Sequence, residues 1–443
     1  MAQAVGKTVV DGALLVYHRP EAPWIGDAST VMEHVGAFEA HSRHRFWRVN
    51  TDLGFPPRLA ELEFKAVIIH YCVFGMGEYR LSEEWLDYLD NTRAYKIAFF
   101  QDECTRCQRR FRFLNEHSID CVYTCLEPSE FPKVYGRYTS VPKLVSNVPG
   151  YVTKELPEIG RRFFEPDDRR GVDVGYRGRP LPAYLGHGAM EKHEIGVRFG
   201  ELANGSGLHL DVAMGEADRL YGDEWYRFMA NCRCVLGVES GVSAFDLEDE
   251  VFNEWLARAA NGQPVGLADL ESLPRWEDVV YYRTISPRHF EAAALRVCQV
   301  LYEGRYSGAL EPMVHYIPLA KDFSNLAQVL ELIRDSDVRR ELTENAYRDL
   351  IASGEWSYGR MVKSVDDTLD AAGMAVRPEP PAAAAVDAAL ADGHRRRLFR
   401  RRTEWALFSL LALKHVQRAI HFVHPVTSRV RRFLRIRGQD AVA

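Results

Sequence analysis

Between residues 284 and 326 the chain reads TISPRHFEAAALRVCQVLYEGRYSGALEPMVHYIPLAKDFSNL, and the residue types and spacing here suit ribose and phosphate chemistry. Ser286-Pro287 marks a helix start, with Ser at the cap and Pro at the first helical position, where a missing N–H is harmless. Glu291 follows one turn later, beyond Arg288, and a carboxylate there can accept two hydrogen bonds from vicinal ribose hydroxyls. Residues 297–302 form a short apolar run, as a buried parallel strand should. Gly304-Arg305-Tyr306-Ser307-Gly308 comes next, and Ser307 and Gly308 offer backbone N–H groups to phosphate oxygens. Strand, turn, helix, strand, glycine loop, strand, helix is the order that binds a nucleoside diphosphate at the carboxyl ends of parallel strands.

Other candidates sit at strand ends. Arg177, Arg179 and Lys192 follow a strand at residues 173–176, where cations would stabilise a departing diphosphate. Glu239, followed by Ser240-Gly241, ends an apolar strand and suits the hydroxyls of a sugar. His70 and Asp102 end strands of the first half and suit orientation of an acceptor, or a base. Each has a plainer reading: a solvated helix glutamate at 291, basic turns at 179 and 192, a strand-end turn at 239, and a packed core histidine at 70. Cys104, Cys107, Cys121 and Cys125 have a metal-like spacing, but 121 and 125 fall on an apolar strand, so structural thiols and no metal are expected. Asp335-Ser336-Asp337 opens a helix, where capping explains it.

The elements required to hold these residues can be read along the chain. Strands are expected at 12–17, 64–72, 95–100, 120–124, 173–176, 208–213, 234–238 and 279–282, and helices at 81–91, 189–199, 223–231, 336–352 and 357–371. Alternation of this kind implies an α/β fold with parallel sheets. Residues 1–164 read as one Rossmann-like acceptor domain and 165–372 as a second, nucleotide-sugar-binding domain. Residues 373–393 read as a Pro/Ala linker, partly helical, and 394–443 as a basic amphipathic tail.

The 286–326 segment, together with Val174-Gly175-Tyr176-Arg177-Gly178-Arg179, Leu236-Gly237-Val238-Glu239-Ser240-Gly241 and Glu355-Trp356-Ser357-Tyr358, resembles bacterial GT-B glycosyltransferases of the group 1 or spore-maturation-like type. The likeness covers about residues 60–370. It implies two Rossmann-like domains around a cleft, a last helix that braces the first domain, and retaining transfer of a hexose from a nucleoside diphosphate sugar. Glu291 matches the family's ribose-binding glutamate, whereas Arg283 stands where an earlier glutamate would be. The resemblance requires no cofactor beyond the donor. The acceptor class would be a glycan or a lipid-linked species in cell-surface polysaccharide synthesis. A catalytically lapsed scaffold and a nucleotide-sugar epimerase of the same fold are the rival readings.

Composition narrows the setting. The chain has 443 residues, 47% of them hydrophobic, enough for two domains and an appendage. Its net charge of −6 hides a split, because residues 391–443 hold 13 Lys and Arg against 3 Asp and Glu and leave the rest at −16. Trp405, Leu407, Phe408, Leu410, Leu411 and Leu413, flanked by arginines, suit a helix lying on an anionic membrane. The expected location is therefore cytoplasmic, peripheral at the inner face of the cell membrane, with docking on the body or on a second subunit of a homodimer as the alternative. No secretory leader is expected, so the thiols should be reduced. Nucleic acid is excluded as a partner, since the body is acidic and no reading motif accompanies the basic run.

Overall fold

The computed structural model describes residues 7–20, 29–75, 79–261, 266–270, 279–376, 382–393 and 395. Its first half is a six-stranded sheet in the order β2-β1-β3-β4-β5-β6. The strands are β1 (Thr8–Tyr17), β2 (Phe46–Asn50), β3 (Leu62–Ile69), β4 (Tyr95–Phe99), β5 (Cys121–Thr124) and β6 (Lys143–Ser146), and every pairing is parallel. Aliphatic runs such as Ala66-Val67-Ile68-Ile69 are buried on both faces, which is what a sheet covered on two sides demands. Helices α1 (Ser29–His41), α2 (Glu83–Asn91), α3 (Cys107–Glu116) and the single turn α4 (Tyr135–Tyr138) lie in this half. In α2, Glu83 and Glu84 suit the positive end of the helix, and Trp85, Tyr88 and Leu89 form its buried stripe.

The second half is a five-stranded parallel sheet in the order β13-β12-β9-β7-β8. Its strands are β7 (Val172–Arg177), β8 (Leu210–Ala213), β9 (Cys232–Gly237), β12 (Cys298–Tyr302) and β13 (Ile317–Leu319), with β10 (Ser240–Val242) and β11 (Tyr282–Thr284) forming a separate antiparallel ribbon. The helices are α5 (Leu156–Phe163), α6 (His187–Leu202), α7 (Gly222–Ala230), α8 (Glu250–Ala260), α9 (Pro287–Ala294), α10 (Leu326–Arg334), α11 (Ser336–Ala346) and α12 (Tyr358–Ala371). The molecule is thus α/β with two Rossmann-like doubly wound units. Chain direction across the second sheet reverses between β7 and β9, and a crevice opens there.

The run at 279–282 is not a core strand. Only Tyr282–Thr284 is extended, and it pairs with β10 because Val280 and Tyr282 are drawn into an apolar cluster shared by the two halves. That cluster joins Ala189, Val242, Phe245 and Leu247 to Phe100, Cys104, Phe111 and Tyr135. The helix expected at 336–352 changes to a π-helical turn at Tyr347–Ala352.

Helix α12 crosses back onto the first sheet, where Tyr358, Met361, Val362, Val365 and Leu369 pack with Ala13, Leu15 and Phe38. The expected linker is half structured: residues 383–393 are helical, Val386 and Ala389 are buried, and Trp47 Nε1 donates to Asp387 Oδ1 at 3.0 Å. The tail read as a membrane anchor lies, but for Arg395, outside the described residues, and no helix among those described is long and apolar enough to cross a membrane.

Helix α9, which carries Glu291, is seated on α5 by a close approach. A Cβ at Gly160 would collide with the carbonyl oxygen of Ala294. Because backbone cannot yield as a side-chain tip does, Gly160→Ala should lower stability by about 1–3 kcal/mol in chemical denaturation. An unchanged unfolding curve would show that the seam is softer than it looks.

Candidate functional site

A cavity of about 1070 Å³ fills the crevice between the ends of β7 and β9. Its floor is Gly175–Arg177 of β7 with Val235, Leu236 and Gly237 of β9. Trp225 and Tyr226 enter from α7, Arg288 and Glu291 from α9, and Thr30 from α1 of the first half. At Gly178 the chain passes so close to the Lys192 carbonyl, 2.8 Å from where a Cβ would stand, that only glycine fits. This tight turn sends Arg179 over the cavity.

Glu291 Oε2 accepts from Trp225 Nε1 at 2.8 Å. Burial raises its carboxyl, while the Trp225 bond and Arg288 pull it back. The Arg288 guanidinium lies 5.0 Å from the Trp225 ring centre and donates to the Arg177 carbonyl at 2.7 Å. Arg179 and Lys192 also line the cavity, and neither side chain has a hydrogen-bond or ion-pair partner among the described residues. The Lys192 ammonium is held below its ordinary range by burial, with Arg288 and Arg179 adding to that effect and Asp102 opposing it. Asp102, in the first half, is near enough to Lys192 for the two charges to act on each other. It sits in a left-handed turn (φ 54°) just past β4. Water reaches its side chain, yet the surrounding protein raises its carboxyl.

Arg177 lines the cavity but is committed elsewhere. Its guanidinium donates to the carbonyls of Tyr176 and Asp211, both at 3.0 Å, pairs with the Asp211 carboxylate at 2.9 Å, and stacks 4.0 Å from the Phe228 ring centre. Among the described residues the cavity cations without a hydrogen-bond or ion-pair partner are Arg179 and Lys192 instead. His70 is a core residue: it is fully buried and bonded to His34 and Cys72, each at 3.0 Å, and burial pushes its imidazole well below the ordinary range.

Glu239 is a clasp. Its carboxylate accepts from the N–H groups of Arg305 (3.1 Å) and Tyr306 (2.8 Å) and from the Tyr281 hydroxyl (2.9 Å). Gly304 lies directly over it, and any Cβ there would strike the carboxylate. Ser307 and Gly308 face away from the cavity lining. The Ser307 hydroxyl contacts Thr284 Oγ1 (2.7 Å) and accepts from Ile285 N–H (3.3 Å), and Gly308 N–H donates to Arg305 (2.8 Å). Arg283, at the position of the family's earlier glutamate, holds Glu191 with two contacts of 2.8 Å.

Trp225, Tyr226, Thr30 and Gln299 also line the cavity, and the sequence reading did not single them out. Only Trp225 carries a signal, as an aromatic beside Asp223 and Glu224 in the first turn of α7. Cys104, Cys107 and Cys125 share one face of the first sheet and Cys121 the other. Among the described residues no group of three or more His, Cys, Asp or Glu is placed to hold a metal. Asp335 caps α11, accepting from Asp337 N–H (2.9 Å) and Val338 N–H (3.1 Å).

No family model matches the chain, and no curated protein is similar to it. Solved structures similar to it include an α-glucosyltransferase in complex with UDP and a DNA 13-mer, at 10% identity and a TM-score of 0.45, covering 82% of this chain and 99% of that one. Anabaena HepE in complex with UDP is similar at 11% identity and a TM-score of 0.45, covering 81% and 100%. TarM is similar at 10% identity and a TM-score of 0.39, covering 78% and 59%. The overlap is loose, and the functional reading rests on this chain's own residues. One expectation is corrected: nucleic acid was excluded as a partner, but several of these structures are glucosyltransferases solved on DNA, so the exclusion is withdrawn.

If Glu239 is a clasp and no ligand, Glu239→Ala should lower stability by about 1–3 kcal/mol, since two amide N–H groups lose their acceptor. UDP affinity measured by calorimetry should stay within a few-fold; a collapse of binding in a folded variant would return Glu239 to the site.

Proposed function

We propose that the chain is a GT-B glycosyltransferase that moves a hexose from a nucleoside diphosphate sugar to a glycan or lipid-linked acceptor in cell-surface polysaccharide synthesis. One observation carries the reading. The crevice at the strand-order reversal holds an acceptor-rich carboxylate, Glu291, and two cations with no partner among the described residues, Arg179 and Lys192, within one cavity. The Glu291 carboxylate keeps one oxygen bonded to Trp225 and presents the other to vicinal ribose hydroxyls. The diphosphate then lies toward Arg179, Lys192 and Arg288. As the bond from the anomeric carbon to the phosphate oxygen breaks, negative charge builds on the leaving group, and preorganised cations stabilise it most at that point. In this reading Asp102, whose charge is felt at Lys192, takes the proton of the acceptor hydroxyl.

In this reading the cations carry the phosphate charge without a metal, and added chelator should leave turnover unchanged. Retention at the anomeric carbon is part of the proposal on the strength of the 286–326 motif, and NMR of the product decides it. A lapsed scaffold is the second reading, motivated by Arg283 being tied to Glu191; turnover of a nucleotide-sugar panel separates the two.

Lys192→Met and Arg179→Ala should each cut turnover by about two to three orders of magnitude. Glu291→Gln should weaken UDP binding by about 1–3 kcal/mol. Wild-type turnover in the first two variants together with wild-type affinity in the third would remove the cavity from the mechanism.

A pH profile gives an independent check. Lys192 is charged at low pH and, sitting below its ordinary 10.5, discharges early as pH rises. On the alkaline side UDP affinity should therefore fall with a midpoint below 10.5. Lys192→Arg, which keeps its charge, should extend the plateau. The same midpoint in both proteins would show that another group titrates.

A further inference from the structure

We propose that an apolar groove beside the cavity holds the hydrocarbon chain of an amphiphilic acceptor. The proposal rests on the glycosyltransferase reading above and narrows its acceptor to a lipid.

The groove has a volume of about 600 Å³, within the range of ligand sites. Leu181, Pro182, Met190, Trp255, Ala259 and Leu267 line it, and among the described lining residues none has a polar side chain other than the indole of Trp255. Leu181 lines both the groove and the donor cavity. The two are joined by shared elements as well. The connection after β7 sends Arg179 to the cavity and Pro182-Ala183 to the groove, and α6 sends Lys192 to one and Met190 to the other. Trp255 and Ala259, one turn apart on α8, form the far wall. Beneath them Tyr184 is buried against Phe252 and Trp255, with ring centres 4.9 and 4.8 Å away. Leu181, Met190, Trp255 and Leu267 are all half-buried, so the wall is firm but reachable.

A peptide or glycan laid along this wall would leave its polar groups without partners, which is costly, whereas an alkyl or isoprenoid chain has none to satisfy. The head of such a molecule, at the Leu181 end, would enter the space between Lys192 and Asp102. There an anionic or hydroxyl head finds a cation and the proposed base. The groove thus fixes where the lipid lies, and the cavity fixes which end reacts.

Calorimetric titration of the full-length protein, saturated with UDP, using n-hexyl, n-octyl and n-decyl glucoside below their micelle concentrations tests this. Affinity should rise by up to about fourfold per added methylene, the equivalent of ~0.8 kcal/mol. Leu267→Glu, and separately Ala259→Glu, should lower decyl glucoside affinity at least tenfold and leave UDP affinity unchanged. No chain-length dependence in the wild type overturns the proposal, and so does undiminished decyl affinity in both variants. A Leu267→Glu protein that changes its sedimenting mass, with no chain-length dependence before the change, overturns it in favour of a second copy. If UDP itself does not bind, the glycosyltransferase reading falls; if UDP binds and the alkyl series is flat, only the lipid groove falls.

Discussion

Glu103 is wholly out of water, and a carboxyl so placed must have its oxygens met by donors. The Thr124 hydroxyl (2.7 Å), the Cys125 N–H (2.9 Å) and the Tyr135 hydroxyl meet them. Burial still raises the carboxyl, with Arg110 and these donors pulling it back. The Glu103 N–H reaches the Tyr282 hydroxyl of the second half at 3.3 Å, and the next residue's carbonyl accepts from Asp246 N–H at 2.8 Å. Cys107 N–H donates to Asp249 at 2.7 Å. The turn after β4 is therefore bolted to both halves at once. Asp102 rides on that turn, and its place near Lys192 follows from this anchorage.

The carboxylates and cations of the molecule divide by what surrounds them. Glu103, Glu239 and Arg177 are bonded within the protein, and each fixes a loop or a strand end. Arg179, Lys192 and one oxygen of Glu291 have no such bond among the described residues, and these three meet in one cavity. A diphosphate and a ribose together present the complementary groups, anionic oxygens and vicinal hydroxyls. Glu239 contributes at a distance: it holds the Gly304 loop down beside the paired strands β9 and β12.

Much of the fold was legible because period and punctuation agreed. Aliphatic runs became parallel strands, and Ser286-Pro287 did begin α9, although no side-chain cap bond forms there. That Glu291 lines the cavity follows from its place on that helix. Which cation stays free was not legible, because it depends on Asp211, a residue brought alongside Arg177 only by pairing of β7 with β8. Glu239 failed for the same reason: its partners Tyr281 and Tyr306 come from segments distant in sequence. Helix α1 and strand β2 lie in a stretch where aromatic, histidine and charged residues interrupt any clear period. The short 279–282 run had strand composition, but burial at the domain seam outweighed it.

The packing of α12 and of the 383–393 helix has a consequence for biosynthesis. One covers the Ala13–Leu15 face of the first sheet and the other packs on Trp47 and the opposite face. The N-terminal half, though translated first, lacks the lids of its own core until residues beyond 390 have left the ribosome. An emerging nascent chain would carry those two apolar sheet faces only partly covered, by α1 on one and by α2 and α3 on the other, through nearly the whole of its synthesis, and so present them to chaperones.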